Sequence, residues 1–298
     1  MARFHLAFLS DPHLGPVPRP SARALMSKRA FGYINWLRNR RAALGSNVLQ
    51  RIVDDIKTQA PDHIAVTGDL VNIALPEEFD AAAAWLETLG PPEDVTVVPG
   101  NHDAYVRGGL ENALAAWGPY MASDTGPQTF PIVRRRNGIV LLGVSTAVAT
   151  PPLWATGKVG GRQRDALGHA LDKHDDAFKV VLIHHPPDAG LSPGRRRLVD
   201  HAAVRQVLSD GCADLVLHGH NHEPSIRWLP TAHADAAVIG TPSASSDGSK
   251  HALASYGLIE LNSQTGHAHL TRRGLTEPDG RVRVLEGIDL VSARAANH

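Results

Sequence analysis

The sequence predicts an α/β fold in which two β-sheets pack face to face with helices outside them. Three observations predict it. Short apolar runs that each end in a polar cluster alternate with segments of helical period, hairpin signals break this alternation twice, and no linker, internal repeat or low-complexity block divides the chain. In order, Phe4 to Ser10 reads as a buried strand, Val48 to Gln59 as a helix, Asp62 to Thr67 as a strand, Glu77 to Leu89 as a helix and Asp94 to Val98 as a strand. Phe130 to Val144 carries Asn137-Gly138 between two apolar runs, the dipeptide that a tight hairpin turn requires. Arg162 to His174 follows as a helix, Lys179 to Ile183 as a strand, Asp200 to Ser209 as a helix and Asp214 to Leu217 as a strand. Tyr256 to Leu270 reads as a second hairpin around Gln264-Thr265-Gly266.

The chain of 298 residues, 43% of them hydrophobic, can bury a full core, and we assign residues 1–298 to one domain. Lys+Arg and Asp+Glu number 30 each, so no global field points to nucleic acid or membrane. A single cysteine, Cys212, excludes an internal disulfide and fits a reducing compartment; ahead of an apolar strand it reads as buried filler. Ala2 to Ser10 lacks the long apolar region of a signal peptide, and no run approaches the ~18 apolar residues of a membrane-spanning helix. The expected location is the cytoplasm.

The chemistry lies at the predicted strand ends. Asp11-Pro12-His13, Gly68-Asp69, Gly100-Asn101-His102-Asp103, His184-His185-Pro186-Pro187 and His218-Gly219-His220-Asn221-His222 each place oxygen or imidazole donors just beyond an apolar run. Taken singly, Asp-x-His and Gly-Asp are common turn or cap residues, and even the Gly-Asn-His-Asp and His-His clusters are moderate signals. Taken together and in order, they read as a binuclear metal site, because two close divalent ions need nitrogen and oxygen donors from several segments and a carboxylate able to bridge them.

The ordered set resembles the calcineurin-like metallophosphoesterases, closest to the bacterial cyclic-nucleotide and glycerophosphodiester phosphodiesterase branch, over Phe4 to about Leu270. The resemblance implies a four-layer αββα sandwich with two mixed β-sheets. It implies that Asp11, His13, Asp69 and His222 hold one metal, and that Asp69 bridges to a second held by Asn101, His184 and His220. It implies that His102 faces the scissile phosphate as a catalytic donor and that Asp103 orients it. His184 is taken over His185 because the residue directly after the strand is the usual ligand in that family. Two such ions would activate a water as hydroxide for in-line attack and neutralise the phosphoryl oxygens. The mixed donor set suits Mn, Fe or Zn rather than Ca, which prefers oxygen alone.

The substrate is written less clearly. From Pro12 to Val53 there is no acidic residue, while Arg19, Arg23, Lys28, Arg29, Arg38, Arg40, Arg41 and Arg51 give +8, so the rest of a neutral chain carries −8. Residues 16–45 within this stretch form a basic amphipathic insertion, with Phe31, Ile34 and Leu37 on one helical side. Three readings are open: contact with an anionic membrane, a clamp on an anionic substrate, or a solvated basic face whose apolar side packs on the domain. Arg38, Arg41, Arg195 and Arg196 are the candidate substrate contacts, while Arg134-Arg135-Arg136 reads as a solvated hairpin end.

The first functional expectation is a metal-dependent phosphodiesterase for a small diester such as a cyclic nucleotide or glycerophosphodiester. The second is a pyrophosphatase or phosphodiesterase for a lipid-linked substrate of the UDP-diacylglucosamine type, peripheral to the inner face of the membrane. Lipid-A pathway relatives of that type carry basic apolar elements, and Ser27-Lys28-Arg29 with Tyr33-Ile34-Asn35-Trp36 is similar to one group of them. Nucleic acid ranks below both, since the few aromatics are scattered. From another class, the fold could serve as a non-catalytic metal-binding scaffold, against which the full ligand set argues.

Overall fold

The structure, a computed structural model, describes residues 3–39 and 47–290. Two six-stranded mixed sheets carry the fold. In the first, β1 (Phe4–Leu9), β2 (His63–Val66) and β3 (Val95–Val97) run parallel, and β10 (Ser255–Asn262), β11 (His267–Gly274) and β12 (Arg283–Leu290) extend it antiparallel from the β1 edge. In the second, β5 (Ile139–Val144), β6 (Phe178–Ile183), β7 (Leu215–His218) and β9 (Ala236–Gly240) run parallel, flanked by antiparallel β4 (Ile132–Arg136) and β8 (Ser225–Leu229).

The period of two along the second sheet shows how the layers stack. Leu141, Val180, Leu182, Leu215, Leu217 and Ile239 share one buried cluster with Leu6, Phe8, Ala65 and Val97 of the first sheet. Their alternates Val140, Leu142, Val181, Ile183, Val216 and Val238 join Leu167 and Leu171 of α6 (Gly161–Lys173) and Val204 and Leu208 of α7 (His201–Asp210). Each of these strands is apolar on both faces because each face is covered. Ile52 and Ile56 of α3 (Val48–Gln59) and Phe79 and Leu86 of α4 (Pro76–Leu89) cover the first sheet. The expected helix–sheet–sheet–helix order is thus observed.

The predicted strands and helices lie within a few residues of their expected bounds. Four further elements carry little signal in the sequence. Of these, α5 (Gly109–Trp117) opens on a Gly-Gly pair and is nearly half alanine and glycine, so it shows little periodicity; β8, β9 and β12 are short or edge strands, β12 being exposed along most of its length.

The basic insertion forms α1 (Ala22–Leu25) and α2 (Arg29–Asn39). Its packing side is Tyr33 and Trp36 against Val17, Ile73 and Leu75, whereas Phe31, Ile34 and Leu37 face outward with Met26. The solvated-face reading, in which the apolar side packs on the domain, is therefore corrected for this row. Arg29 fastens α2 down by donating from Nε to the Ile73 carbonyl at 3.1 Å and from Nη2 to the Ala74 carbonyl at 2.6 Å. Arg40 and Arg41 lie outside the described residues. Among the described residues, no helix is long and apolar enough to cross a membrane.

Candidate metal centre

Five strands deliver the five motifs to one place, because β1, β2, β3, β6 and β7 all present their carboxyl ends at the seam between the sheets. The chain must turn sharply there. Asp11, His13, Asp69, His220 and His222 all have positive φ (51°, 40°, 57°, 71° and 58°), a region that non-glycine residues rarely adopt. Five of the eleven such residues among those described are candidate ligands, the clustering expected where local strain serves a site. Gly219 is required for a different reason: a Cβ there would collide with the Ser10 and Asp11 side chains.

Asp69 sits at the centre. Its Oδ2 is 3.4 Å from His184 Nε2, 3.9 Å from His13 Nε2 and 4.0 Å from His102 Nε2, while Oδ1 accepts the His102 amide at 2.7 Å. Asn101 Oδ1 is 3.2 Å from His184 Nε2. On the other side, Asp11 Oδ1 is 3.2 Å from His222 Nε2, and Oδ2 accepts the His220 amide at 3.0 Å. All these residues are buried except His102 and His222, which are partly open to the surface. Donor groups of Asp11, His13 and His222, and of Asp11, Asp69 and His184, lie within 4.8 Å of one another, close enough to share a cation.

The imidazoles share one supporting device. His13 Nδ1 donates to the Val71 carbonyl at 3.3 Å, His102 Nδ1 to Asn72 at 2.5 Å, His184 Nδ1 to Thr67 at 2.7 Å and His220 Nε2 to Arg196 at 2.9 Å. Each bond spends one ring nitrogen on a backbone carbonyl, so that the ring is held in place and the other nitrogen remains for the site. His185 also stands near His184 and His220, but its Nδ1 is 2.7 Å from the Thr146 hydroxyl and its Nε2 donates to the Ala155 carbonyl at 3.0 Å. Both of its nitrogens thus have partners within the protein, whereas His184 Nε2 faces Asp69 and Asn101.

Charge follows from this packing. Burial alone would raise the Asp69 pKa, but His184, His102 and His13 hold it well below the usual carboxylate range. Asp11 is likewise lowered by His222 against its burial. Burial penalises a charged His184, yet Asp69 beside it raises its pKa to about 9, so a cation at Nε2 competes there with a proton. Burial and the neighbouring His184 push His185 down to about 3 and keep it neutral.

The expectation that Asp103 orients His102 is corrected. The Asp103 carboxylate accepts from four backbone amides, those of Asp69 (2.9 Å), Leu70 (2.9 Å), Val71 (3.2 Å) and Gly100 (2.8 Å), and it is the Asn72 carbonyl that holds the His102 ring. Asp103 therefore shapes the loop that presents Asp69.

The mouth of the site is lined by Asp69, Asn101, His102, Ala155, Arg196, His220, His222 and His251. Arg196 both receives the His220 ring and donates from Nη2 to the His220 carbonyl at 2.8 Å. Arg195 lies over the Trp154 ring at 5.5 Å, and Arg38 is exposed on α2. None of the five motifs points to His251. It reaches the mouth from the loop before β10, edge-on to His222 at 5.1 Å and 3.5 Å from Glu223. A lone histidine in a polar loop carries no signal of such a position.

A sequence profile of the calcineurin-like phosphoesterases matches residues 4–224. Over 185 residues the chain is 28% identical to a probable cyclic nucleotide phosphodiesterase of Synechococcus sp., covering 59% of this chain and 64% of that one. Over 193 residues it is 26% identical to the glycerophosphodiester phosphodiesterase GpdQ of Enterobacter lignolyticus, covering 62% and 63%. The matches thus span somewhat less than two thirds of these relatives. A dimetal phosphatase from Danio rerio superposes with a TM-score of 0.64 over 97% of this chain and 99% of that one, at 14% identity, and so shares the fold. The profile covers well over half of the sequence, and every candidate metal donor described above falls within it: the chain belongs to the calcineurin-like phosphoesterase family.

Proposed function

We propose that the protein is a phosphodiesterase that works with two divalent transition-metal ions on a small diester, of the cyclic-nucleotide or glycerophosphodiester kind. The observation that carries this reading is the central position of Asp69 Oδ2 between two donor sets, His13 with Asp11 and His222 on one side and His184 with Asn101 and His220 on the other. The donors fit the ions: imidazole nitrogens and ionised carboxylates suit Mn, Fe or Zn. When bound, the ions supply Lewis-acid activation of water and neutralise phosphoryl oxygens. The similarity to a probable cyclic nucleotide phosphodiesterase and to a glycerophosphodiester phosphodiesterase supports the diester class.

The chain's own residues account for the rest. The Asn72 carbonyl fixes His102 so that Nε2 points at the Asp69 side of the mouth, where a protonated ring gives its proton to the departing alkoxide. Asp103 keeps the Gly68 to Val71 backbone in the shape that aims Asp69. Arg196, fixed to His220, offers its guanidinium at the rim to a phosphate oxygen, and Arg195 does so from its place over Trp154.

Metal analysis together with a substrate panel in Mn tests the proposal. Two metal equivalents and faster hydrolysis of bis-nitrophenyl phosphate than of nitrophenyl phosphate are expected. Fewer than two equivalents in active protein would sink the binuclear centre, and inactivity on every phosphoester would return the chain to a scaffold.

One observation favours a second reading, a lipid-linked phosphoester or pyrophosphate cleaved by a cytoplasmic protein at the membrane surface. Met26, Phe31, Ile34 and Leu37 are 87%, 56%, 47% and 40% exposed on an arm whose sequence neighbours are basic, the pattern of an interfacial helix. Sedimentation with anionic liposomes should then depend on Phe31, Ile34 and Leu37; if changing them to serine leaves sedimentation unaltered, or the wild type stays in solution, this reading fails.

A further inference from the structure

Beside the metal site lies a second depression, between α2, Tyr105 and the loop of Ala149, Thr150 and Pro151. Lys28 stands in its wall, half-buried, with its ammonium 2.8 Å from Thr150 Oγ1, 3.1 Å from the Trp154 carbonyl and 4.3 Å over the Tyr105 ring. Two of its three N–H groups are spent on oxygen, and one remains to donate. No acidic side chain among the described residues pairs with it, and none pairs with Arg107 across the same depression. Burial lowers the Lys28 pKa to about 8, still a cation at neutral pH.

A half-buried cation without a counter-ion is costly unless something else supplies the negative charge. The surroundings hold it rigidly in place. Arg29 bonds the neighbouring turn to the Ile73 and Ala74 carbonyls, and Gly32 brings α2 so close that a Cβ would lie 2.6 Å from Ile73 Cγ2 and 2.7 Å from Tyr105 Oη. Tyr105 in turn stacks on His102, with ring centroids 5.5 Å apart and planes 16° apart. The cation is thus linked through one aromatic ring to the group that faces the leaving oxygen.

We propose that this depression is a second anion subsite, in which Lys28, with Arg107, receives a phosphoryl group carried on the leaving-group side of the substrate. The inference rests on the phosphodiesterase reading and names its substrate class: diesters whose leaving portion bears a further phosphate. Such a group can sit on the leaving alcohol or belong to a pyrophosphate, and the chemistry recognised at Lys28 is the same.

The test compares glycerophosphoinositol with glycerophosphoinositol 4-phosphate, adds a nucleoside diphosphate sugar as the pyrophosphate arm, and uses bis-nitrophenyl phosphate as the control that lacks a further phosphate. Wild-type enzyme should prefer the 4-phosphate or the diphosphate over its control. Lys28→Gln should lower kcat/KM on the preferred substrate by about tenfold or more through KM, the worth of one charge-assisted hydrogen bond, and leave bis-nitrophenyl phosphate hydrolysis unchanged. Lys28→Arg should retain the preference, as should Thr150→Val, which loosens the tether and keeps the charge. A parallel fall on all substrates in Lys28→Gln would show a tether alone and overturn the subsite, as would the absence of any preference in the wild type. Wild-type inactivity on bis-nitrophenyl phosphate would instead be a failure of the phosphodiesterase reading. In excess EDTA, calorimetry with inositol 4-phosphate gives a readout free of catalysis: binding that weakens in Lys28→Gln supports the subsite, and equal binding by both proteins overturns it.

Discussion

His184 Nδ1 donates to the Thr67 carbonyl at 2.7 Å, a bond that ties the end of β6 to the end of β2 and turns the other ring nitrogen toward Asp69. Its Nε2 is left facing Asp69 and Asn101, whereas both nitrogens of His185 are engaged elsewhere. His184→Ala should therefore lose about one metal equivalent and most activity. His185→Asn should keep its metals and lower the thermal midpoint instead, since it leaves a buried hydroxyl or carbonyl short of a partner. Metal content by mass spectrometry, set beside a melting curve, separates the two, and the reverse pattern would exchange their roles.

The position of His102 predicts a leaving-group effect. With Nε2 at the mouth and Nδ1 held by Asn72, His102→Ala should slow hydrolysis of an alkyl diester by about 10²- to 10⁴-fold. The loss on bis-nitrophenyl phosphate, whose leaving group needs little protonation, should be much smaller. Equal losses on both would remove the acid role.

Asp103 predicts a stability defect. Its carboxylate serves four amides, and an asparagine keeps one acceptor oxygen while turning an NH₂ against the remaining N–H groups. Asp103→Asn should cost about 3 kcal/mol or more, a few charge-assisted hydrogen bonds' worth, readable as a lower urea midpoint. An unshifted midpoint would mean that the loop holds its shape without the carboxylate.

His63 predicts a pH dependence remote from the site. It is buried beside Arg134 and 2.7 Å from the Thr96 hydroxyl, and burial, helped by that arginine, lowers its pKa from 6.5 to about 3. The unfolded chain takes up a proton below pH 6.5 that the folded chain refuses until about 3. Stability should therefore fall as pH falls through that window, by about 1.4 kcal/mol per pH unit from this group. His63→Gln should flatten that part of a urea-denaturation series between pH 4.5 and 6.5; an unchanged slope would show that other groups carry it.

The strands that carry the candidate ligands were legible because each combines a buried apolar run with a polar terminus. What the residues do for one another was not legible. Asp103 acts on amides as many as 34 positions away, and the carbonyls of Thr67, Val71, Asn72 and Arg196 hold rings from other strands, so neither shows in local pattern. On α2 the periodicity marked Phe31, Ile34 and Leu37 but could not tell which way they face. Gly32, Tyr33 and Trp36 offer a competing surface, and the close fit of Gly32 to Ile73 and Tyr105 decides in their favour. The placement of His251, Lys28 and Arg107 was beyond reach for a related reason: their neighbours come from loops with no regular spacing.

The Asp11 carboxylate accepts the amide of His220, 209 residues further along the chain, and the two stand at the ends of strands in different sheets. Half of the candidate site therefore does not exist until the other half has been made. A ribosome-bound chain that has emerged only just past β3 holds Asp11, Asp69 and Asn101 and none of the imidazoles at positions 184, 220 and 222. On the proposed phosphodiesterase reading, hydrolysis waits for completion of the fold, and a nascent chain that ends before β6 is silent.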